Sequence, residues 1–532
     1  MVFTLHRYIF RELLKVFTLA VIALTLILSL GSILRPVQEY GVGPGQVLSL
    51  MGYFLPITLT FVLPMAALFA SALVYGRFAS DNELDACRAS GISLPTLVYP
   101  GVALAIVVAI ANLILSFHML PYFVHLAEKS LKADAKQILF RNIQQRGYYE
   151  LPTDSPWLIY ADEARPESDT LVGVVVAYVK SSRIDKIYTA ERARVTFNPH
   201  DRFNEVQIYT ENALQIGSED SGAFSVEKGV ISTEFGSLLS DDIKFKNINE
   251  MKRIRADLML FHPIEKLARD TNAQFTTELL AQEIETAIGA DPNNYCKLHS
   301  ADKLVEFTAR KIAAGDERVK LDEDIVVVES DSSGRQPPAR FRPTSAALHL
   351  EGDKLAPTLT MDLTNVLEEE SGDLKMRYII RGLIRPSNTD VREQFGTENL
   401  LDAIRQASES PVLRKGPSGE LMRREYLLDK EIQGTLLQIR AEIHSRLVFG
   451  VGCVPMILIG IGLGIVKRGG HLLTAFGASC IPAAVLIVCI IGGRQVAENA
   501  KSTVVSGMAL MWSGLGFLLL LAAVIYHRLL KN

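Results

Sequence analysis

Six apolar stretches without a charged side chain constrain this chain more than any single motif. Residues 16–34, 40–76 and 89–127 hold no Lys, Arg, Asp or Glu, and neither do 447–466, 469–493 and 502–527. A helix needs roughly 20 apolar residues to cross a hydrocarbon core about 30 Å thick. A charge at the middle of such a helix costs about 3 kcal/mol on insertion scales, so six such gaps predict six membrane spans. Gly41, Gly43, Pro44 and Gly45 form a turn, and a helix is predicted from about Gln46 to Tyr75. The first span is too long for a signal-peptide core and no A-x-A site follows it, so an uncleaved anchor is expected. Three spans precede, and three follow, roughly 320 residues of water-soluble composition.

Whole-chain averages mix these two parts. The 532 residues are 48% hydrophobic and 21% charged, with a mean hydropathy of +0.20 and a net charge of −4. That charge gives no electrostatic footprint for nucleic acid. The five cysteines are Cys87, Cys453, Cys480 and Cys489, in or beside the membrane parts, and Cys296, alone in the polar middle. The middle therefore has no internal disulfide, and the absence of CxxC argues against a zinc or redox site.

Lys and Arg near the span ends set the orientation. With a cytoplasmic N-terminus, the inner face holds Arg7, Arg11, Lys15, Arg77, Arg88, Lys467, Arg468, Arg528 and Lys531. The short outer loops hold Arg35, Arg494 and Lys501. Nine cations against three predict cytoplasmic termini, and an odd number of spans then places the polar middle outside. Most of these cations read equally as snorkelling anchors.

From about Gln145 to Met251 apolar residues alternate with polar ones, as in Ala193, Val195 and Phe197, with glycines and Asn198-Pro199 between runs. This spacing predicts short antiparallel strands in a sandwich or jelly roll. Leu359, Met361 and Leu363 suggest a later strand. Residues 264–315 read as largely helical, with Leu280, Ile284 and Ile288 in one segment and Val305, Ala309 and Ile312 in another. Ser330–Pro338 reads as a linker, and Leu421–Ile443 as a helix leading into the fourth span.

Several chemistries are missing. The dipeptide Gly-Lys is absent, so no P-loop exists to hold nucleotide phosphates. Neither G-x-G-x-x-G nor H-E-x-x-H occurs. Intramembrane catalysis needs ionisable groups within the spans; the candidates are His118, near the end of the third, and Arg494 and Glu498, just past the fifth and at helical pairing distance. Interfacial anchoring is the simpler reading of all three. No catalytic residue, metal ligand or cofactor is expected in this chain.

The loop between the second and third spans carries the strongest motif. In 76–93, Ser80 and Glu83 have capping-box spacing, Gly91 suits a helix end and Pro95 lies beyond it. A cytoplasmic helix of about ten residues, over about 80–91, is predicted between two membrane helices. A capped connector with a solvated acidic face is the plainer alternative.

This loop resembles the coupling-helix region of the LptF/LptG family, permease subunits of the lipopolysaccharide-exporting ABC transporter. Arg7-Tyr8-Ile9-Phe10-Arg11-Glu12 is similar to that family's opening. Glu442–Leu447 is similar to the entry to its fourth span, and Lys467-Arg468-Gly469-Gly470 to the loop after it. Residues 159–164 and 188–193 resemble strands of its jelly roll, and the Gly76–Glu83 stretch is closer to LptF than to LptG. The likeness covers roughly 1–260 and 436–532. The middle is longer than the family's, with 262–435 unmapped, and the fifth span lacks the aromatic pair expected.

The resemblance implies spans at 1–121 and 441–532 around a β-rich, jelly-roll-like periplasmic domain over 122–440. A helical insertion is expected over about 262–435. It implies a bacterial inner-membrane protein that extracts lipopolysaccharide or a related lipid. The implied partners are a cytoplasmic ABC ATPase dimer, a second homologous permease and a periplasmic β-jelly-roll bridge protein. Glu83 and Arg88 would meet the ATPase by charge, Leu84 and Cys87 would fill its groove, and Gly91 would end the helix. Arg35, Arg494 and Lys501, in that order, would meet the lipid phosphates, the two arginines through the bidentate fork that suits phosphate; interfacial anchoring is the alternative for Arg35. Gly460 and Gly464 form a GxxxG that allows close helix approach; a loosely packed glycine-rich helix is the alternative. A mechanotransmitting permease, or a membrane-anchored structural or sensor protein, would also fit a chain with a large outer domain. The former usually carries that domain after one span, and the latter needs no ATPase-docking helix.

Overall fold

The computed structural model describes residues 2–40, 44–133, 135–150, 157–180, 183–199, 204–217, 223–235, 242–290, 295–300, 303–315, 318–331, 338–351, 358–370, 372–384, 399–409, 413–414, 416–466, 472–498 and 504–531. The first helices are α1 (Val2–Tyr40), α2 (Pro44–Ser80), α3 (Glu83–Ala89) and α4 (Leu94–Ile114). A π-helical turn, Leu115–Met119, joins α4 to α5 (Leu120–Ala133), and α6 (Ala135–Arg146) follows. Strands β1 (Tyr148–Glu150), β2 (Trp157–Arg165), β3 (Thr170–Lys180), β4 (Arg183–Pro199), β5 (Asn204–Gly217) and β6 (Ala223–Phe235) come next. A 3₁₀ turn, Ile243–Phe245, leads to α7 (Ile248–Ala256), and then α8 (His262–Ala290). A second strand series is β7 (Cys296–His299), β8 (Lys303–Thr308), β9 (Lys311–Ala314), β10 (Val319–Asp322), β11 (Val326–Asp331), β12 (Ala339–Glu351), β13 (Thr358–Glu368) and β14 (Leu374–Leu383). The chain ends with α9 (Leu400–Glu409), α10 (Gly419–Val466), α11 (Leu472–Glu498) and α12 (Val504–Lys531).

Six helical segments among the described residues are long and apolar enough to cross a membrane, three before the strands and three after. Pro56 and Pro64 in α2, Pro100 in α4, Pro455 in α10 and Pro482 in α11 lie inside these helices. Such prolines are tolerated in spans because neighbours re-satisfy the freed carbonyls.

The chain divides into two compact units, 1–257 with 433–532, and 258–432. In the first, glycines let the spans touch at backbone distance. A Cβ on Gly460 would lie 2.5 Å from Ser71 Oγ, and one on Gly464 would lie 2.7 Å from the Ala72 carbonyl. The GxxxG is thus the seam between α10 and α2. Gly493 and Gly507 do the same for α11 and α12.

Also in this unit, β1 to β6 form an antiparallel sheet in which every strand pairs with its sequence neighbour. The alternation at Ala193 and Val195 puts both on one face with Ile159, Val174 and Ile208, under Leu139, Phe140 and Ile143 of α6. The β-rich expectation therefore holds, as a meander rather than the crossed strand order of a jelly roll.

The second unit corrects the helical reading of its first part. Among the described residues of 264–315, only those of His262–Ala290 are helical; Val305, Ala309 and Ile312 lie in or between strands β8 and β9. The period is two, because Phe307 shares full burial with Val305. Reading 305, 309 and 312 as one helical face passes over Phe307 between them. The strands form an eight-stranded antiparallel sheet in the order β14-β13-β12-β11-β8-β7, with β10 paired to β12 and β9. Leu359, Met361 and Leu363 are buried on β13 as expected, and α8 covers that face with Leu280 and Ile284. Near its middle, α8 packs Phe275 and Leu279 against Ala403 and Ala407 of α9 and Leu421 at the start of α10. The expected linker at 330–338 lies mostly outside the described residues. The helix expected from Leu421 is the first half of α10, which runs unbroken into the fourth span.

Candidate functional site

Two places in the first unit gather chemistry. The first is α3. The expected capping box does not form, because α2 continues through Ser80, whose hydroxyl donates to the Arg77 carbonyl at 2.9 Å. Asn82 precedes α3 in the left-handed region (φ 57°) with no side-chain cap. That residue reverses the chain, so the helix is seven residues long, not about ten. Its other end matches expectation. Gly91 has φ 85°, and its N–H bonds the Arg88 carbonyl at 2.9 Å while that of Ile92 bonds Cys87 at 3.1 Å. This is the Schellman arrangement that favours glycine.

Leu84 is 4% exposed, inside the cluster that holds Tyr75, Phe78 and Leu94, and Cys87 is half-buried against it. This corrects the groove-filling role expected of Leu84: its side chain is already committed to this chain's own core. The surface that α3 presents is Glu83, Ala86, Arg88 and Ala89.

The ends of α1, α2 and α4 form the seat. Glu12 bonds Lys15 at 2.7 Å and reaches Arg77 at 3.5 Å. His6 Nε2 lies 2.9 Å from the Thr96 carbonyl, and the buried Tyr75 hydroxyl donates to the Leu97 carbonyl at 2.9 Å.

The second place is a charge cluster at the span ends remote from α3. Arg494 Nε bonds Glu498 at 2.7 Å, the pairing its spacing suggested, and its other arm reaches Glu442 at 2.8 Å. Glu442 also accepts from Arg446 Nε at 2.8 Å. Arg446 donates further to the carbonyls of Ser116 (3.0 Å) and Lys244 (2.7 Å), with its guanidinium over the Phe117 ring at 5.5 Å. Glu442 and Arg446 are 6% and 5% exposed. The charge of Arg494 is therefore already matched by two carboxylates, with which an incoming phosphate would have to compete.

The other two cations expected to meet lipid phosphate lie outside this description. Position 35 is within α1 but its side chain is not among the described residues, and neither is Lys501. The sequence reading missed the Glu442–Arg446 pair. Its signal was a Glu and an Arg four apart immediately before an uncharged run.

A short helix between two spans, seated on three helix ends, with a β-rich segment between the third and fourth spans, defines a permease architecture. The family model described as lipopolysaccharide export system permease LptF/LptG matches residues 7–259 and 314–528. The chain belongs to that family, whose members are permease components of a multi-pass inner-membrane ABC system. No curated protein matches the chain. The match extends past the likeness read from sequence, and leaves only 260–313 unmatched within it. That stretch holds α8, β7, β8 and most of β9.

Proposed function

We propose that this chain is a non-catalytic permease subunit that extracts lipopolysaccharide, or a related phosphorylated lipid, from the inner membrane. It passes the lipid to a periplasmic β-jelly-roll bridge protein. Both termini are cytoplasmic and the β-rich part is periplasmic, as the excess of inner Lys and Arg supports. A second homologous permease completes the lipid path. No cofactor is held in this chain.

The observation that carries this reading is α3. Its buried side, through Leu84, is continuous with the core of α1, α2 and α4. Its exposed side offers Glu83 and Arg88. A cytoplasmic ATPase dimer gripping those two residues would move the spans, because Leu84 anchors the helix to them and Gly91 fixes its end. Cys87 lines the boundary between the two sides. The lipid phosphates meet Arg35 and Lys501 first, and Arg494 only by exchange with its carboxylates.

Purification of the intact complex tests the energy source: an ATPase should accompany the chain, and Glu83→Lys should abolish transport while the chain still folds. Depletion should trap lipopolysaccharide in the inner membrane. Recovery of the complex without an ATPase, or normal outer-membrane lipopolysaccharide after depletion, would sink the proposal.

A further inference from the structure

The charge cluster does more than balance charge. Arg446 touches three segments far apart in sequence: Glu442 one turn before it, the π turn at Ser116, and the 3₁₀ turn at Lys244. The last two are irregular turns. The first interrupts the third span, where single π turns often mark functional sites. The second follows the last strand of the meander sheet and precedes α7.

A buried ion pair is poor evidence for stability alone, since apolar side chains of similar volume serve as well or better. Charged groups among span helices mark function by default. Here the fork of one guanidinium reaches two backbone carbonyls and a carboxylate at once, a geometry lysine cannot reproduce. Glu442 aims that fork, and Arg494 and Glu498 complete the balance of charge on the far side.

We propose that Arg446 is a positioning residue: it ties the π turn of the third span and the strand-exit turn to the base of the fourth span, so that the three move as one body while lipid is passed outward. The role in transport rests on the permease reading above; the tie itself does not.

The test uses the intact complex with its ATPase, in liposomes containing lipopolysaccharide, and three variants. Arg446→Lys keeps a charge facing Glu442 but cannot hold both carbonyls. The reversed pair Glu442→Arg with Arg446→Glu restores an ion pair and no carbonyl bond. Glu498→Gln leaves all three Arg446 bonds in place. Amide hydrogen exchange should rise together at 115–120 and 244–250 in the first two variants and in neither segment in the third. In those first two variants lipid released per ATP hydrolysed should fall roughly five-fold, the lower end of coupling between sites, with ATP hydrolysis unchanged.

Unchanged exchange in both segments for Arg446→Lys overturns the tie. Altered exchange with normal lipid per ATP overturns the positioning role, as does full recovery in the reversed pair. A wild-type complex that moves no lipopolysaccharide overturns the permease reading and the transport role with it, and the exchange result still decides the tie.

Discussion

His6 Nε2 sits 2.9 Å from the carbonyl of Thr96. That carbonyl is the acceptor four residues before Pro100, which has no N–H to offer it. One ring from the start of α1 thus fills the gap that a proline opens in α4. His6→Ala should destabilise the purified protein by about 1 kcal/mol, the cost of leaving a half-buried acceptor unmet. A detergent-solubilised melting curve reads this directly, and an unshifted midpoint would show that water takes the site.

The α10–α2 seam should tolerate no side chain. A Cβ at Gly464 would meet the Ala72 carbonyl at 2.7 Å and the Gly76 amide nitrogen at 2.9 Å, both backbone atoms. Gly464→Ala is expected to cost about 2 kcal/mol through the forced shift. Gly516 has nothing within 4 Å of its would-be Cβ, and Gly516→Ala should be neutral or stabilise by up to ~1 kcal/mol. Equal melting temperatures for the two variants would contradict the packing.

Acid should release one specific contact. Burial alone would raise the Glu250 carboxyl, but hydrogen bonds from His125 and the Asn247 N–H outweigh it and hold the group below its ordinary range. A lowered folded value means stability present above the unfolded value and lost as pH falls through the folded one. Glu250→Gln keeps a side chain that can serve the capping box with Asn247 while losing the carboxylate that His125 bonds at 3.0 Å. The wild type should exceed this variant by less than ~1 kcal/mol at neutral pH, and the gap should close below about pH 4. A gap that persists in acid would remove the ionised carboxylate as its cause.

Cys296 should resist labelling. Burial, with Glu283 nearby, pushes its thiol up to about 11, so the thiolate that reacts is scarce at pH 8. Maleimide should modify the half-buried Cys87 well before Cys296 in the folded protein, and both alike after denaturation. Mass spectrometry of the peptides distinguishes the two. Rapid native labelling of Cys296 would contradict its burial.

Sequence made the membrane helices legible because lipid penalises every charge, so their absence is an unambiguous signal. The first sheet was legible because Ala193 and Val195 alternate with charged neighbours on a face that stays wet. Around Val305 the same logic was harder to apply, since Leu304, Val305 and Phe307 stand together and the apolar run supports either period. At α3, the Gly91 end was readable from the one residue type that accepts its backbone angle. The start was not, because Asn82 takes a left-handed angle that asparagine tolerates without announcing it. The Arg446 contacts were invisible for another reason. Both of its distant partners are backbone carbonyls, and every residue carries one.

Helix α3 has only seven residues, fewer than the roughly 12–15 that an isolated helix needs to persist in water. Its shape is borrowed from Leu84, Asn82 and Gly91 together. A synthetic peptide of Asp81–Ser90 would therefore be a coil, a poor stand-in for the helix as the protein holds it. Molecules meant to imitate this helix must bring their own staple.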